Sequence, residues 1–158
     1  MIIGRQWKGW GVLKILKKFI TYLFWILILS ALIYYAANVF ITSLKTPKLI
    51  EKALRSPQIS IRLPDLSEQQ KSALLAVCDP SFYSHKGIDL ITPGAGGATI
   101  TQSLVRVFYF DDYQPGIAKI RESLIAHYTL NRLVAKDDQL TLFINHASFG
   151  QWHNKECQ

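Results

Sequence analysis

The chain has 158 residues, 49% of them hydrophobic, which is enough for one domain and one special segment. Its net charge is +7, but residues 1–18 alone carry Arg5, Lys8, Lys14, Lys17 and Lys18 with no acid, and the other 13 basic and 11 acidic residues give only +2. Basicity confined to a tail excludes a nucleic-acid footprint spread over the domain, two cysteines are too few for a disulfide scaffold, and no Cys-x-x-Cys or His spacing suggests zinc.

The tail is read as residues 1–18, with Trp7 and Trp10 among its basic residues. It suits the retention of positive charge on the cytoplasmic side and contact with anionic headgroups. Residues 19–44 follow without one charge. A helix of that length covers roughly 39 Å, enough to cross a bilayer with some tilt. The run is too long for a cleavable signal core, so a retained transmembrane helix is expected. The basic bias puts the N-terminus in the cytoplasm and the rest of the chain outside it.

Residues 45–66 are read as a linker. Thr46-Pro47 has the pattern of an N-cap with proline at the first helical position, opening a short helix through Arg55. Ser56 to Pro64 reads as extended, bounded by Pro57 and Pro64. The domain then occupies residues 67–158. Ser67 followed by Gln70 fits a capping box for a helix ending near Cys78, with Leu74, Leu75 and Val77 for the core. Asp79 precedes Pro80, which pushes it out of the α region and ends that helix. The glycines between Gly87 and Gly97 mark a loop. Thr99 and Gln102 repeat the cap pattern, with Ile100, Leu104, Val105 and Phe108 on one face. Asp111 to Gly116 is a polar break. Ile117, Ile120, Leu124, Ile125 and Tyr128 recur at helical spacing. Val134 to Asp138 reads as a connection, Gln139 to Asn145 as a last apolar stretch, and Phe149-Gly150 as a stop. The class is mainly α, about five helices after the anchor.

Four segments, in order, resemble one family. Cys78-Asp79-Pro80-Ser81-Phe82-Tyr83-Ser84-His85-Lys86-Gly87 matches Glu-Asp-x-x-Phe-x-x-His-x-Gly everywhere but its first position. Gly96 to Ser103 is similar to Gly-x-Ser-Thr-Ile-Thr-Gln-Gln, and Ala118-Lys119-Ile120-Arg121-Glu122 to Arg-Lys-x-x-Glu. Lys136 to Asn145 keeps the ends of Lys-x-x-Ile-Leu-Glu-x-Tyr-Leu-Asn. These are motifs of the family 51 peptidoglycan glycosyltransferases, found in monofunctional transglycosylases and in class A penicillin-binding proteins.

The resemblance implies a partial lysozyme-like helical domain tethered to the bacterial plasma membrane, acting on lipid II and lipid-linked glycan. An acceptor sugar hydroxyl attacks the anomeric carbon of the donor, and lipid diphosphate leaves. That reaction needs a base near the hydroxyl and cations, or a divalent ion such as Mg2+ or Mn2+, against the diphosphate. By position, Glu122 and Cys78 stand where the family has catalytic carboxylates. Asp79, Phe82, His85, Thr99, Thr101, Gln102, Arg106, Lys119, Arg121 and Asn145 would bind substrate. Read from the residues alone, Lys119 and Arg121 also fit a solvated helix face, Glu122 an ion-pair partner, and Thr99 and Gln102 a helix cap.

Cys78 departs from the pattern. A thiol has a reference pKa of about 8.5, bonds weakly and is shorter than glutamate. Asp79 is one helical step away, rotated by about 100°. Ala98, Ser103 and Ala118 replace further polar groups, and the chain stops eight residues past Gly150, earlier than the family domain. The expectation is a truncated or degenerate member with weak or no polymerase activity. A non-catalytic scaffold that binds the lipid-linked precursor, or a fragment without a fold of its own, are the alternatives. Whether Cys78 pairs with Cys157 is left open.

Overall fold

The computed structural model describes residues 8–89, 91 and 98–146. Arg5, Trp7, Gly96, Gly97, the Phe149-Gly150 stop, Cys157 and most of the glycine loop lie outside them. The described residues hold helices and no strands. The chain divides into two units, Met1–Ala37 and Asn38–Gln158.

Helix α1 (Lys8–Leu54) has 47 residues and enters both units. Within it, Leu13–Leu54 is long and apolar enough to cross a membrane. Phe19, Tyr22, Trp25, Leu29, Leu32 and Ile33 are all more than half exposed, as lipid-facing residues would be. Polar side chains in the run turn back on the backbone: Thr21 Oγ1 donates to Lys17 O at 2.9 Å and Ser30 Oγ to Leu27 O at 2.9 Å. That satisfies their hydrogen-bonding groups without a partner helix.

The expected helix start at Thr46-Pro47 is not found. Pro47 lies inside α1, and Thr46 Oγ1 donates to Thr42 O at 2.8 Å, an interior bond and not a cap. The apolar run simply continues into the second unit. There Thr46 is fully buried and shares a 2.7 Å hydrogen bond with the Tyr109 hydroxyl, while Ile50 joins the core. Burial raises the Tyr109 pKa above its usual value, against the lowering effect of the Thr46 bond.

A 3-10 turn at Leu63–Asp65 leads to α2 (Glu68–Cys78). The capping box forms as the sequence predicts: Gln70 N donates to Ser67 Oγ at 3.2 Å and Ser67 N to Gln70 Oε1 at 2.8 Å. Leu74 and Leu75 pack on the core, but Val77 is 72% exposed, on the opposite face of a short helix. Helix α3 (Ile100–Tyr109) opens with the second box, Gln102 N to Thr99 Oγ1 and Thr99 N to Gln102 Oε1, both 3.1 Å. Its Ile100, Leu104 and Val105 are among the most buried residues.

Helix α4 (Ile117–Ile125) runs into a π-helical turn (Ala126–Leu130) and a short α5 (Asn131–Leu133). The spacing predicts a core face of Ile117, Ile120, Leu124, Ile125 and Tyr128. Of these Ile125 is buried, whereas Ile117, Ile120 and Tyr128 are half or more exposed. The buried face is centred instead on Glu122, Ile125, Ala126, Thr129 and Leu130, which recur at helical spacing and leave Ile117, Ile120 and Tyr128 off it. Helix α6 (Lys136–His146) starts inside the stretch read as a connection and buries Leu140, Leu142, Phe143 and Ile144 against α3.

Gly87 joins the first motif to the π turn. Its φ is +86°, and a Cβ there would lie 2.7 Å from the Ala126 carbonyl oxygen and 3.1 Å from Asn131 Cβ. Only glycine suits both the left-handed backbone and the close approach. Gly87→Ala should therefore destabilise the second unit by more than about 1 kcal/mol, read as a lower denaturation midpoint, while Gly116→Ala should act through backbone strain alone, since nothing lies within 4 Å of it.

Candidate active site

The first and second motifs meet at a buried carboxylate. Asp79 caps the C-terminus of α2 with φ −163° and is 2% exposed. Its Oδ2 accepts from the Ile100 N–H at 3.0 Å, at the start of α3. His85 Nε2 lies 2.9 and 3.0 Å from its two oxygens. His85 Nδ1 accepts from the Gly87 N–H at 2.9 Å, so the ring proton is on Nε2 and points at Asp79. Thr99 Oγ1 donates to Gly87 O at 2.8 Å and closes the ring of contacts. Phe82 is 1% exposed, with its ring in the core.

The second motif also reaches α4 and α6. Gln102 Nε2 donates to Ser123 Oγ at 3.1 Å, and Thr101 Oγ1 donates to Gln139 Oε1 at 2.8 Å. Gln139 is fully buried and spends its amide N–H on Val134 O at 2.9 Å. These side chains hold three helices at fixed separations.

The third motif centres on Glu122, which is 0% exposed. Arg106 Nε donates to Oε1 at 3.0 Å, the Tyr113 hydroxyl to Oε2 at 2.5 Å, and Lys119 Nζ lies 3.4 Å from both oxygens. The Arg106 guanidinium also covers the Tyr113 ring at 4.8 Å. Each oxygen of this carboxylate is thus held by a close donor, with two cationic side chains beside it. The Arg106 and Lys119 side chains are 22% and 38% exposed. Arg121 turns away from this cluster. It donates to Tyr109 O at 3.2 Å and stacks on Phe110 at 4.1 Å.

Asn145 sits apart from both groups. Its Nδ2 donates to Ile61 O at 2.6 Å, and its Oδ1 accepts from the N–H groups of Ser60 and Ile61 at 2.9 and 3.0 Å. It pins the extended segment before α2. Cys78 is buried, 6% exposed. Two cavities of about 690 and 530 Å3 lie by the 3-10 turn, α2 and the start of α6, sharing Leu63, Lys71 and Asp137. Neither is lined by Cys78 or Glu122.

Tyr113, Ser123 and Gln139 complete this framework without having stood out in the sequence. Tyr113 lies in the stretch read as a polar break, and only its hydroxyl's contact with Glu122 reveals it. Desolvation, then the hydrogen bond to Glu122, raise the Tyr113 pKa to about 12. Burial of the Tyr83 hydroxyl, then its 3.0 Å bond to Asp137, raise that residue to about 12 as well.

Tyrosines whose folded pKa exceeds the ordinary value of about 10 add stability that is complete below pH 10. It is lost as pH rises to about 12. Absorbance titration should show these two phenols ionising last, with Tyr113→Phe removing one of the late steps. At neutral pH Arg106→Met should cost about 3 kcal/mol, because it strips a buried carboxylate of its nearest cation. Lys119→Met should cost about 1 kcal/mol or less, its pair being longer and more exposed. Denaturant melts of the two variants test this order.

The Transglycosylase family matches residues 47–156. Penicillin-binding protein 2a of Streptococcus pneumoniae is 33% identical over 99 residues, 57% of this chain and 13% of that protein. Penicillin-binding protein 1A of Rickettsia bellii is 28% identical over 134 residues, 75% of this chain and 17% of that protein. Monofunctional glycosyltransferase of Staphylococcus saprophyticus is 30% identical over 98 residues, 54% of this chain and 36% of that protein. The chain therefore spans well under two thirds of these relatives' lengths. The match nonetheless takes in most of the chain and all four motifs, three of them built around the buried carboxylates of Asp79 and Glu122: this protein belongs to the transglycosylase family, the peptidoglycan glycosyltransferases that its motifs resemble.

Proposed function

We propose that the chain is a membrane-anchored peptidoglycan glycosyltransferase-like protein that binds lipid II and polymerises it poorly. The observation that carries this reading is the pairing of a cation cluster with a thiol at the base position. Arg106 and Lys119, held by Glu122 and partly exposed, suit an anionic diphosphate. In the reaction, the acceptor hydroxyl oxygen bonds to the anomeric carbon and the carbon–oxygen bond to the diphosphate breaks. The electron pair leaves on the diphosphate, and the hydroxyl proton passes to a base. Cys78 stands where that base is expected. Glu122 is assigned instead to holding the cations, since Arg106 and Tyr113 each donate to one of its oxygens.

Among the described residues no cluster of three or more His, Cys, Asp or Glu could hold a divalent ion unaided, so such an ion would share the diphosphate oxygens with a protein carboxylate. Arg106 and Lys119 would take up charge on the leaving diphosphate. Single-pass anchoring at the plasma membrane, with a cytoplasmic N-terminus, is supported by the apolar run of α1 and the basic tail.

Losing a positioned base costs on the order of 10²- to 10⁴-fold. With lipid II and Mg2+, the full chain in detergent should form glycan at least about 10²-fold more slowly than Cys78→Glu. Equal rates would overturn the impairment. If neither protein polymerises while both retain lipid II, the scaffold reading replaces this one.

A further inference from the structure

Lys136, the first residue of the fourth motif, is the least explained charge in the second unit. Its Nζ is buried and has no hydrogen-bond partner. It lies 4.3 Å from the centre of the Phe82 ring, directly over the turn that follows α2. Asp79 is close enough to act on it electrostatically. Yet Asp79 gives its oxygens to His85 and the Ile100 N–H. An aromatic face is a weak substitute for the ligands an ammonium has in water, worth about 0.5–2 kcal/mol. A buried ammonium normally has a carboxylate and hydrogen bonds. Here the geometry supplies an ammonium and a ring but no acceptor.

Position 78 is one residue before Asp79 and buried in the same cluster as Phe82. It is also where the family carries glutamate. We propose that Lys136 is a positioning residue, the ammonium built to receive a carboxylate at position 78, and that Cys78 leaves it without that partner. The inference rests on the reading that position 78 is the place of the base. It adds what holds the base: a cation on α6 that would keep a carboxylate ionised and aimed, so that loss of the glutamate removes the base and strands its counter-ion together.

Stranding has a consequence that needs no substrate. Desolvation, opposed by Asp79, lowers the Lys136 pKa from 10.5 to about 8. The other titratable groups in the elements around it are Asp79, Tyr83, His85 and Lys86 in the turn, Glu68, Lys71 and Cys78 on α2, and Asp137 and Asp138 beside it on α6, with Tyr83 bonded to Asp137. A lysine with a depressed folded pKa binds fewer protons folded than unfolded between pH 8 and 10.5. Stability should therefore rise as pH increases through that window. The late-ionising tyrosines act only above pH 10.

The test is a double-mutant cycle on the full chain in detergent, with Cys78→Glu, Cys78→Gln and Lys136→Met. Cys78→Gln controls for size, and circular dichroism confirms that each variant is helical. At pH 7, Cys78→Glu should melt about 4 °C or more above Cys78→Gln. Lys136→Met should leave the natural chain unchanged or more stable, but should abolish the gain of Cys78→Glu. By NMR of the lysine side-chain nitrogens, the Lys136 midpoint should move from about 8 to above the usual lysine range in Cys78→Glu only. Equal melting of the Glu and Gln variants, or an unmoved Lys136 midpoint, overturns the proposal. Activity separates it from the reading beneath it. A Cys78→Glu enzyme that polymerises lipid II without coupling to Lys136 keeps the function and sinks the counter-ion. A coupled but inactive Cys78→Glu chain keeps the counter-ion and sinks the function.

Discussion

The carboxylate of Asp79 has to be buried, and everything around the first motif follows from how that is made tolerable. An ionised group taken out of water must recover its hydrogen bonds from the protein. Asp79 takes them from His85 Nε2 and from the first N–H of α3. The second of these is a helix N-terminus, whose unpaired N–H groups and positive dipole end favour an anion. One side chain at the end of α2 thus orients His85 and seats α3. Gly87 then lets the chain turn under the π-helical segment, where a side chain would strike the Ala126 carbonyl.

Glu122 poses the same problem and is solved with charge. Arg106, Lys119 and Tyr113 come from α3, α4 and the segment between them, so the cluster also fixes how α3 and α4 sit. Breaking such a buried pair costs more than the pair contributes relative to an apolar core. A chain that needed only stability would have little reason to keep it. Its cations are partly exposed while Glu122 is not, which suits the cluster to an anionic ligand as well as to holding helices together.

The two carboxylates differ from Lys136, whose ammonium is buried without an acceptor. The buried anions have their donors, whereas the Lys136 ammonium has no acceptor, in the same core as the first-motif position that departs from the family. The cost of burying a charge is local, so an imbalance of this kind shows which residue the surroundings were shaped for.

Much of the scaffold was legible in the sequence because the signals were local. The charge-free run from Phe19 to Leu44, the two Ser/Thr-to-Gln capping boxes and the break at Asp79-Pro80 each depend on bonds within a few residues, and each took the form expected. Motif order alone pointed to the family. What tertiary structure decided was everything that depends on which helix lies opposite. Pro47 stayed inside α1, the core face settled on Glu122 and Ala126 and left Tyr128 at the surface, and Asn145 closed onto Ile61, 84 residues away. Tyr113 became a ligand of Glu122, and Lys136 came to rest over Phe82. Periodicity records the preference of a segment for one apolar face. It carries no information on where a long-range partner will stand, and it is the partner that turns a carboxylate or an ammonium into part of a site.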